Sequence, residues 1–189
     1  MKKALISLCA VLAIIMVAVC ASYNHQFSSS TAKAVLDKKY FPMKFYVTEK
    51  IDSEDYYVLY AAQPNGDPKI TFKVGVRRFG DDMVLKAKFS DDYIAVVKNA
   101  VLNRILKDKT FDVESQSDVP DVSGQIYDVM QELKAWLDLY GIQTTKFTPS
   151  CTLRISICGE DEEIQFLVMD REIITKNIYS AYLEHAEER

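Results

Sequence analysis

DYYVLYAAQPNGDPKITFKVGVRRF, residues 55–79, decides how this chain folds. Two stretches of alternating side chains, Asp55–Gln63 and Pro68–Phe79, flank Pro64-Asn65-Gly66-Asp67. Asn-Gly between alternating segments is the strongest short-range hairpin signal, because both residues tolerate the positive φ of a tight turn. Centring the turn on Asn65-Gly66 is expected to pair Ala61 with Ile70, Leu59 with Phe72 and Tyr57 with Val74. A second turn at Gly80-Asp81 leads into Met83–Phe89 and is expected to pair Val76 with Leu85, Val74 with Ala87 and Phe72 with Phe89. Both turns place Ile70, Phe72, Val74 and Val76 on one apolar face, and a slip of one residue would turn every side chain over.

Outward from these hairpins the pattern continues. Met43–Lys50 alternates, with Phe45 and Val47 opposing Lys44, Tyr46 and Thr48, and reads as the first of four strands. Before it, Thr31 is placed to cap a helix over Ala32–Tyr40, which Pro42 stops. After the sheet, Ser90 is expected to cap a helix with Tyr93, Ile94, Val97, Val101 and Ile105 at helical spacing. Asp91 and Asp92 then fall in its first turn, where the helix dipole favours anions. Residues 108–122 are acidic, contain Pro120 and show no period, so they read as a linker. Ser123 is expected to cap Gln125–Tyr140, an apolar stripe that includes Leu133, Trp136 and Tyr140 and ends at Gly141. Thr152–Ile157 and Ile164–Met169 read as a hairpin around residues 159–163, and Asp170 caps a last helix, Arg171–Ala186.

The fold class that follows is α+β: an N-terminal hydrophobic helix, then an antiparallel sheet of four strands plus a C-terminal hairpin, with helices packed on it. The segments are 1–22, an export signal or single membrane anchor; 23–42, a tether and short helix; and 43–107, a β-β-β-β-α unit. An acidic linker, 108–122, leads to 123–189, an α-β-β-α unit that is separate or one domain with 43–107.

Residues 4–21 read ALISLCAVLAIIMVAVCA, without a charge, behind Lys2 and Lys3. Eighteen helical residues reach about 27 Å, against the ~30 Å hydrocarbon core of a bilayer. The leading lysines orient the segment with its N-terminus in the cytoplasm and the remainder outside. Val19-Cys20-Ala21 offers the small residues of a cleavage site, so secretion after cleavage is the alternative to an anchor. A lipoprotein reading of Cys20 fits poorly, because Val19 precedes it. The expected location is the cytoplasmic membrane of a bacterium, single-pass with the C-terminal domain outside, and the lipid bilayer is a partner through residues 4–21.

The net charge of −4 is uneven: residues 43–107 carry 11 basic and 9 acidic side chains, residues 108–189 carry 7 and 17. In the outer part the only cysteines are Cys151 and Cys158. Seven strand steps separate them by about 23 Å, far beyond the ~7 Å reach of a disulfide, so two free thiols are expected. Cys151 with His185 is the one thiol–imidazole pair, but Cys151 shares the apolar parity of Leu153, Ile155 and Ile157, where thiols are inert. Glu160-Asp161-Glu162-Glu163 lacks the alternating acids of a calcium loop and reads as a solvated hairpin tip. With His25 in the tether and His185 near the C-terminus, an imidazole zinc site is not expected. No phosphate-binding, hydrolase or metalloprotease motif is present. No catalytic residue, metal or cofactor is therefore expected, and no nucleic acid.

The same registers that bury Phe72 expose Lys73, Arg77, Lys86 and Lys88, with Tyr56 and Tyr60 beside them. Cations among tyrosines suit a protein partner or an anionic envelope polymer, through charge attraction and stacking. The plain alternative is that lysine and tyrosine populate the wet face of any antiparallel sheet. The sequence thus points to a membrane-tethered extracytoplasmic binding domain without a catalytic site. The alternatives are a carboxylate-based hydrolase using Asp81, Asp82, Asp91 or Asp92, and an assembly or regulatory subunit whose acidic half docks on a neighbour's basic half.

Overall fold

A computed structural model describes residues 10–19, 28–51, 57–79, 86–145, 149–167 and 170–187. It is an α+β structure of two units that divide after Val96, within a helix. Residues 10–19 form helix α1, whose apolar side chains are exposed, Ile14, Met16 and Val17 by 68, 68 and 69%. Among the described residues no helix is long and apolar enough to cross a membrane.

In the first unit α2 (Ser29–Lys39) begins earlier than expected, because the Ser28 hydroxyl accepts the Thr31 N–H at 3.3 Å and caps the helix. Asp37 ties it to the sheet by accepting the Phe45 N–H at 2.9 Å and pairing with Lys33. Burial pulls the Asp37 carboxyl up, but Lys33, the Phe45 N–H and Lys44 outweigh it and leave it below the ordinary carboxylate range.

The sheet has the order β1 (Phe45–Ile51), β2 (Tyr57–Pro64), β3 (Phe72–Phe79), β4 (Lys86–Asp91), antiparallel throughout. The β2–β3 register differs from the sequence expectation by three residues: Ala62, not Leu59, lies opposite Phe72. An odd shift turns the strand over. Val58, Tyr60 and Ala62 are buried, and Leu59 faces outward with Ala61. The cause is the connection. Asn65 turns back onto β1, donating to Lys44 O, and Asp67 then makes a second turn, its carboxylate accepting the Lys69 N–H. Gly66 (φ 88°) supplies the expected left-handed residue, but the two turns together take up residues 65–71.

The β3–β4 register also moves, by four residues, so Val76 opposes Phe89 and Val74 opposes Asp91. An even shift keeps the expected faces. It also draws Ser90 into β4, so Ser90 caps no helix. Helix α3 (Tyr93–Ile105) starts instead where the Asp91 carboxylate accepts the Tyr93 N–H. Asp91 lies on the inner face, its side chain 5% exposed, and its other partners are the Tyr40 hydroxyl and the Lys39 ammonium at 2.7 Å. Such a buried carboxylate is tolerated because it is paired. Burial first, then this bond to Asp91, pushes the Tyr40 hydroxyl far above its ordinary pKa. Around it Tyr40, Phe45, Phe72 and Tyr93 stack with ring centroids 4.6–5.9 Å apart, the centre of the first core.

In the second unit, residues 108–122 are not a linker. They hold β5 (Asp112–Val113), a 3-10 turn at Gln116–Asp118 and the start of α4 (Val119–Leu139). Ser115 and Asp118 form a capping box, Pro120 sits in the first turn where its missing N–H costs nothing, and Phe111, Val113, Val119 and Val122 are buried. Ser123 is therefore inside the helix, its hydroxyl donating to Val119 O. The stripe from Ile126 to Leu137 is buried as expected, and Gly141 at φ 70° ends the helix. Trp136 is half-buried, with the Arg104 guanidinium 4.5 Å above its ring.

The C-terminal hairpin makes its own sheet, order β5–β6–β7, with β5 parallel to β6 (Cys151–Ile157). Its turn is tighter than expected: Cys158 (φ 54°) and Gly159 (φ 85°) close it in two residues. The acids 160–163 thus belong to β7 (Glu160–Phe166) rather than to a loop tip, and they charge the open edge of that sheet. Asp170 caps α5 (Arg171–Glu187), which buries Ile174 and Ile178.

Candidate binding face on the first sheet

The outward face of the first sheet is built in rungs. Leu59, Gly75 and Ser90 lie side by side on β2, β3 and β4. Gly75 contributes no side chain, and the Ser90 hydroxyl takes up much of the space that one would fill: a Cβ placed there would lie 2.9 Å from Ser90 Oγ and 3.9 Å from Leu59 Cδ1. Around this rung lies a shallow, open depression of about 340 Å³ lined by Leu59, Lys73, Gly75, Ser90, Asp91 and Asp92.

Charges flank this rung on both sides along β3. On one side Lys73 and Asp92 are neighbours: the Asp92 carboxylate accepts the Lys73 N–H at 2.7 Å, and the Asp92 N–H donates back to Lys73 O. On the other side Arg77 stands directly opposite Lys88, and both are exposed. Adjacent rungs on one face repeat at about 6.8 Å, two strand residues. Glu49, on β1 opposite Ala61, is another acid of this face.

Of the residues expected here, Lys73, Arg77 and Lys88 are brought together on the outward face. Lys86 pairs with Phe79 in the same ladder, with its side chain outside the described residues. Tyr56 lies outside them altogether, as do Asp81 and Asp82. Tyr60 is a correction: the turned-over β2 places it in the core at 5% exposure, where burial raises its hydroxyl pKa. Leu59, Ser90 and Gly75 are the residues that sequence reasoning passed over. A glycine inside a β-branched strand is a known sign of a close approach or a gap, so Gly75 was the available signal.

The other candidate sites come apart. Cys151 is buried with its Sγ 3.0 Å from Met130 Sδ, and burial pushes its thiol up to about 11 despite the opposing charge of Lys98. His185 bonds Glu162, which pairs with Ile155, four strand residues or about 13 Å from Cys151. No dyad forms. Cys151 and Cys158 are both buried free thiols. Instead His185 links α5 to β7, its Nε2 3.0 Å from Glu162 and its Nδ1 3.5 Å from Glu160. Two acids on opposite nitrogens of one ring do not chelate, and among the described residues no group of three or more His, Cys, Asp or Glu side chains could hold a metal ion. Asp91 spends its carboxylate on Lys39, Tyr40 and the Tyr93 N–H.

No protein-family model matches the chain, nor does any curated protein or any solved structure.

Proposed function

We propose that this protein is a membrane-tethered extracytoplasmic binding module of the bacterial envelope. It holds a protein or an anionic envelope polymer on the outward face of its first sheet and carries out no reaction. One observation carries the reading: a depression at Gly75 lies beside the opposed cations Arg77 and Lys88 on a face whose opposite side is already packed as a core. A sheet face with a shallow depression beside two adjacent cations can hold an anionic partner. The tether rests on Lys2, Lys3 and the apolar run 4–21.

The test is capture from envelope extracts by the full-length protein and by a variant with Lys73, Arg77 and Lys88 all changed to Glu. Capture that weakens with salt and disappears in the variant supports the reading. Capture that is indifferent to all three charges removes it. Intact mass of the protein recovered from membrane and from medium distinguishes a retained anchor from a cleaved leader.

A second reading has its own observation. Residues 1–96 carry 13 basic and 10 acidic side chains and residues 97–189 carry 10 and 17, so the two units have opposite net charge. Copies associating basic unit to acidic unit would sediment as oligomers at low salt and as monomers at high salt.

A further inference from the structure

Helix α2 ends in a turn with an apolar tip and basic surroundings. The Met43 N–H donates to Tyr40 O at 2.9 Å, and the two residues between them, Phe41 and Pro42, are exposed, Phe41 by 68%. Tyr40 and Phe45 on either side are buried in the first core, so Phe41 is held out from a packed base. Lys38 and Lys39 occupy the last turn of α2 and Lys44 immediately precedes β1, all three exposed. Lys39 and Lys44 also pair with Asp91 and Asp37, at 2.7 and 3.8 Å. Residues 31–46 hold four lysines against Asp37 alone, and counting the buried Asp91 of β4 still leaves the turn positive. The helix dipole accounts for lysines at the end of α2. A single exposed ring needs no explanation by itself. A ring amid lysines, on a chain that also carries an apolar run, has the composition of a surface that lies on a bilayer.

Chain length permits that contact. The apolar run ends at Ala21 and Ser28 caps α2, and the seven residue steps between them reach at most about 25 Å. The eleven residues of α2 measure about 16 Å from end to end. Phe41 can therefore meet the bilayer that holds the apolar run even where α2 stands upright on it. Resting on the membrane tether of the reading above, we propose that the Phe41 turn is a second membrane contact. The phenyl ring and Pro42 enter the headgroup region, and Lys38, Lys39 and Lys44 lie against anionic phospholipid headgroups. Because the tether keeps the turn at a high local concentration near the surface, a weak contact suffices.

The experiment reconstitutes the full-length protein in vesicles of phosphatidylglycerol or of phosphatidylcholine, each with acyl chains brominated to quench tryptophan on contact. The wild type has one tryptophan, Trp136, so quenching of Phe41→Trp in excess of wild type reports position 41. That excess should appear in phosphatidylglycerol, be absent in phosphatidylcholine, and be relieved by about 0.5 M salt. Lys38→Gln and Lys44→Gln should each lower the ratio of docked to undocked protein about fivefold. No excess in either lipid overturns the contact, as does an excess that is equal in both lipids or indifferent to salt and to both lysine variants. Flotation tests the tether separately. Wild type that alkaline carbonate strips from phosphatidylcholine vesicles has no anchor, whereas a lysine-dependent excess in phosphatidylglycerol still supports the turn.

Discussion

The outward faces of the two sheets are both rich in charge, yet they are arranged differently. On the second, Arg154 lies directly opposite Glu163 at 3.5 Å and also reaches Asp161, so cation meets anion across the ladder. On the first, Arg77 lies opposite Lys88, and the neighbouring rung holds Gly75, beside which the Ser90 hydroxyl takes up the space of a side chain. Opposite charges facing each other across a ladder stabilise a sheet, as Arg154 and Glu163 do on the second. The strands behind these faces also differ. Every second residue of β6 is polar, whereas β2 is apolar on both sides, burying Val58, Tyr60 and Ala62 while turning Leu59 outward beside Gly75.

The largest expected effect tests which way β2 faces. Tyr60→Ala should cost about 3–5 kcal/mol in urea unfolding, as truncation of a buried aromatic does, and Leu59→Ala about 1 kcal/mol. The reverse order would restore the register in which Leu59 opposes Phe72. Next in size is Asp91→Ala, which leaves the Tyr40 hydroxyl and the Tyr93 N–H without their acceptor and should cost about 2–3 kcal/mol.

In the second unit Cys151 gives a chemical readout. It should resist thiol reagents in the folded protein near neutral pH and react fully once unfolded. Its folded pKa of about 11 lies above the ordinary 9.0, so between those values the folded state holds a proton that the unfolded state has lost. This group's contribution therefore falls as pH rises from 9 to 11, and a Cys151→Ala variant should show less alkaline loss in that window. Asp37 has the opposite sign. Its depressed pKa contributes stability above the ordinary carboxylate value of 3.8, and that contribution is lost as pH falls through the folded value.

The smallest effect tests the ladder of the second sheet. Glu163→Lys should lower stability in urea unfolding by about 0.2–1 kcal/mol, because it places a cation opposite Arg154. Unchanged or raised stability would mean that Arg154 and Glu163 do not interact across that ladder.

The α+β class, the four antiparallel strands, the hairpin strand β6 and the caps at Gly141 and Asp170 were legible in the sequence because each rests on a local rule. β6 could bury only one face, so its alternation assigned Leu153 and Ile155 to the core without ambiguity. β2 could bury either, and there the face depended on how many residues the connection 65–71 absorbs, which Asn65-Gly66 alone does not determine. Tyr60 was misplaced for that reason. Residues 108–122 looked like a linker because their order comes from capping and from isolated buried side chains, Phe111 and Val113 among them, none of which makes a period. The cations Lys73, Arg77 and Lys88 were legible because the β3–β4 shift was even and left their face unchanged. The depression beside them was not, since it needs Leu59, Gly75 and Ser90 on one rung, and two registers had to be right together to show it.

The most direct measurement is the anisotropy of labelled dextran sulfate against full-length wild type and Arg77→Glu/Lys88→Glu, at about 50 and 200 mM salt. Binding to wild type that weakens at the higher salt and vanishes in the variant is the predicted result. Equal binding by both proteins would contradict the assignment of this face.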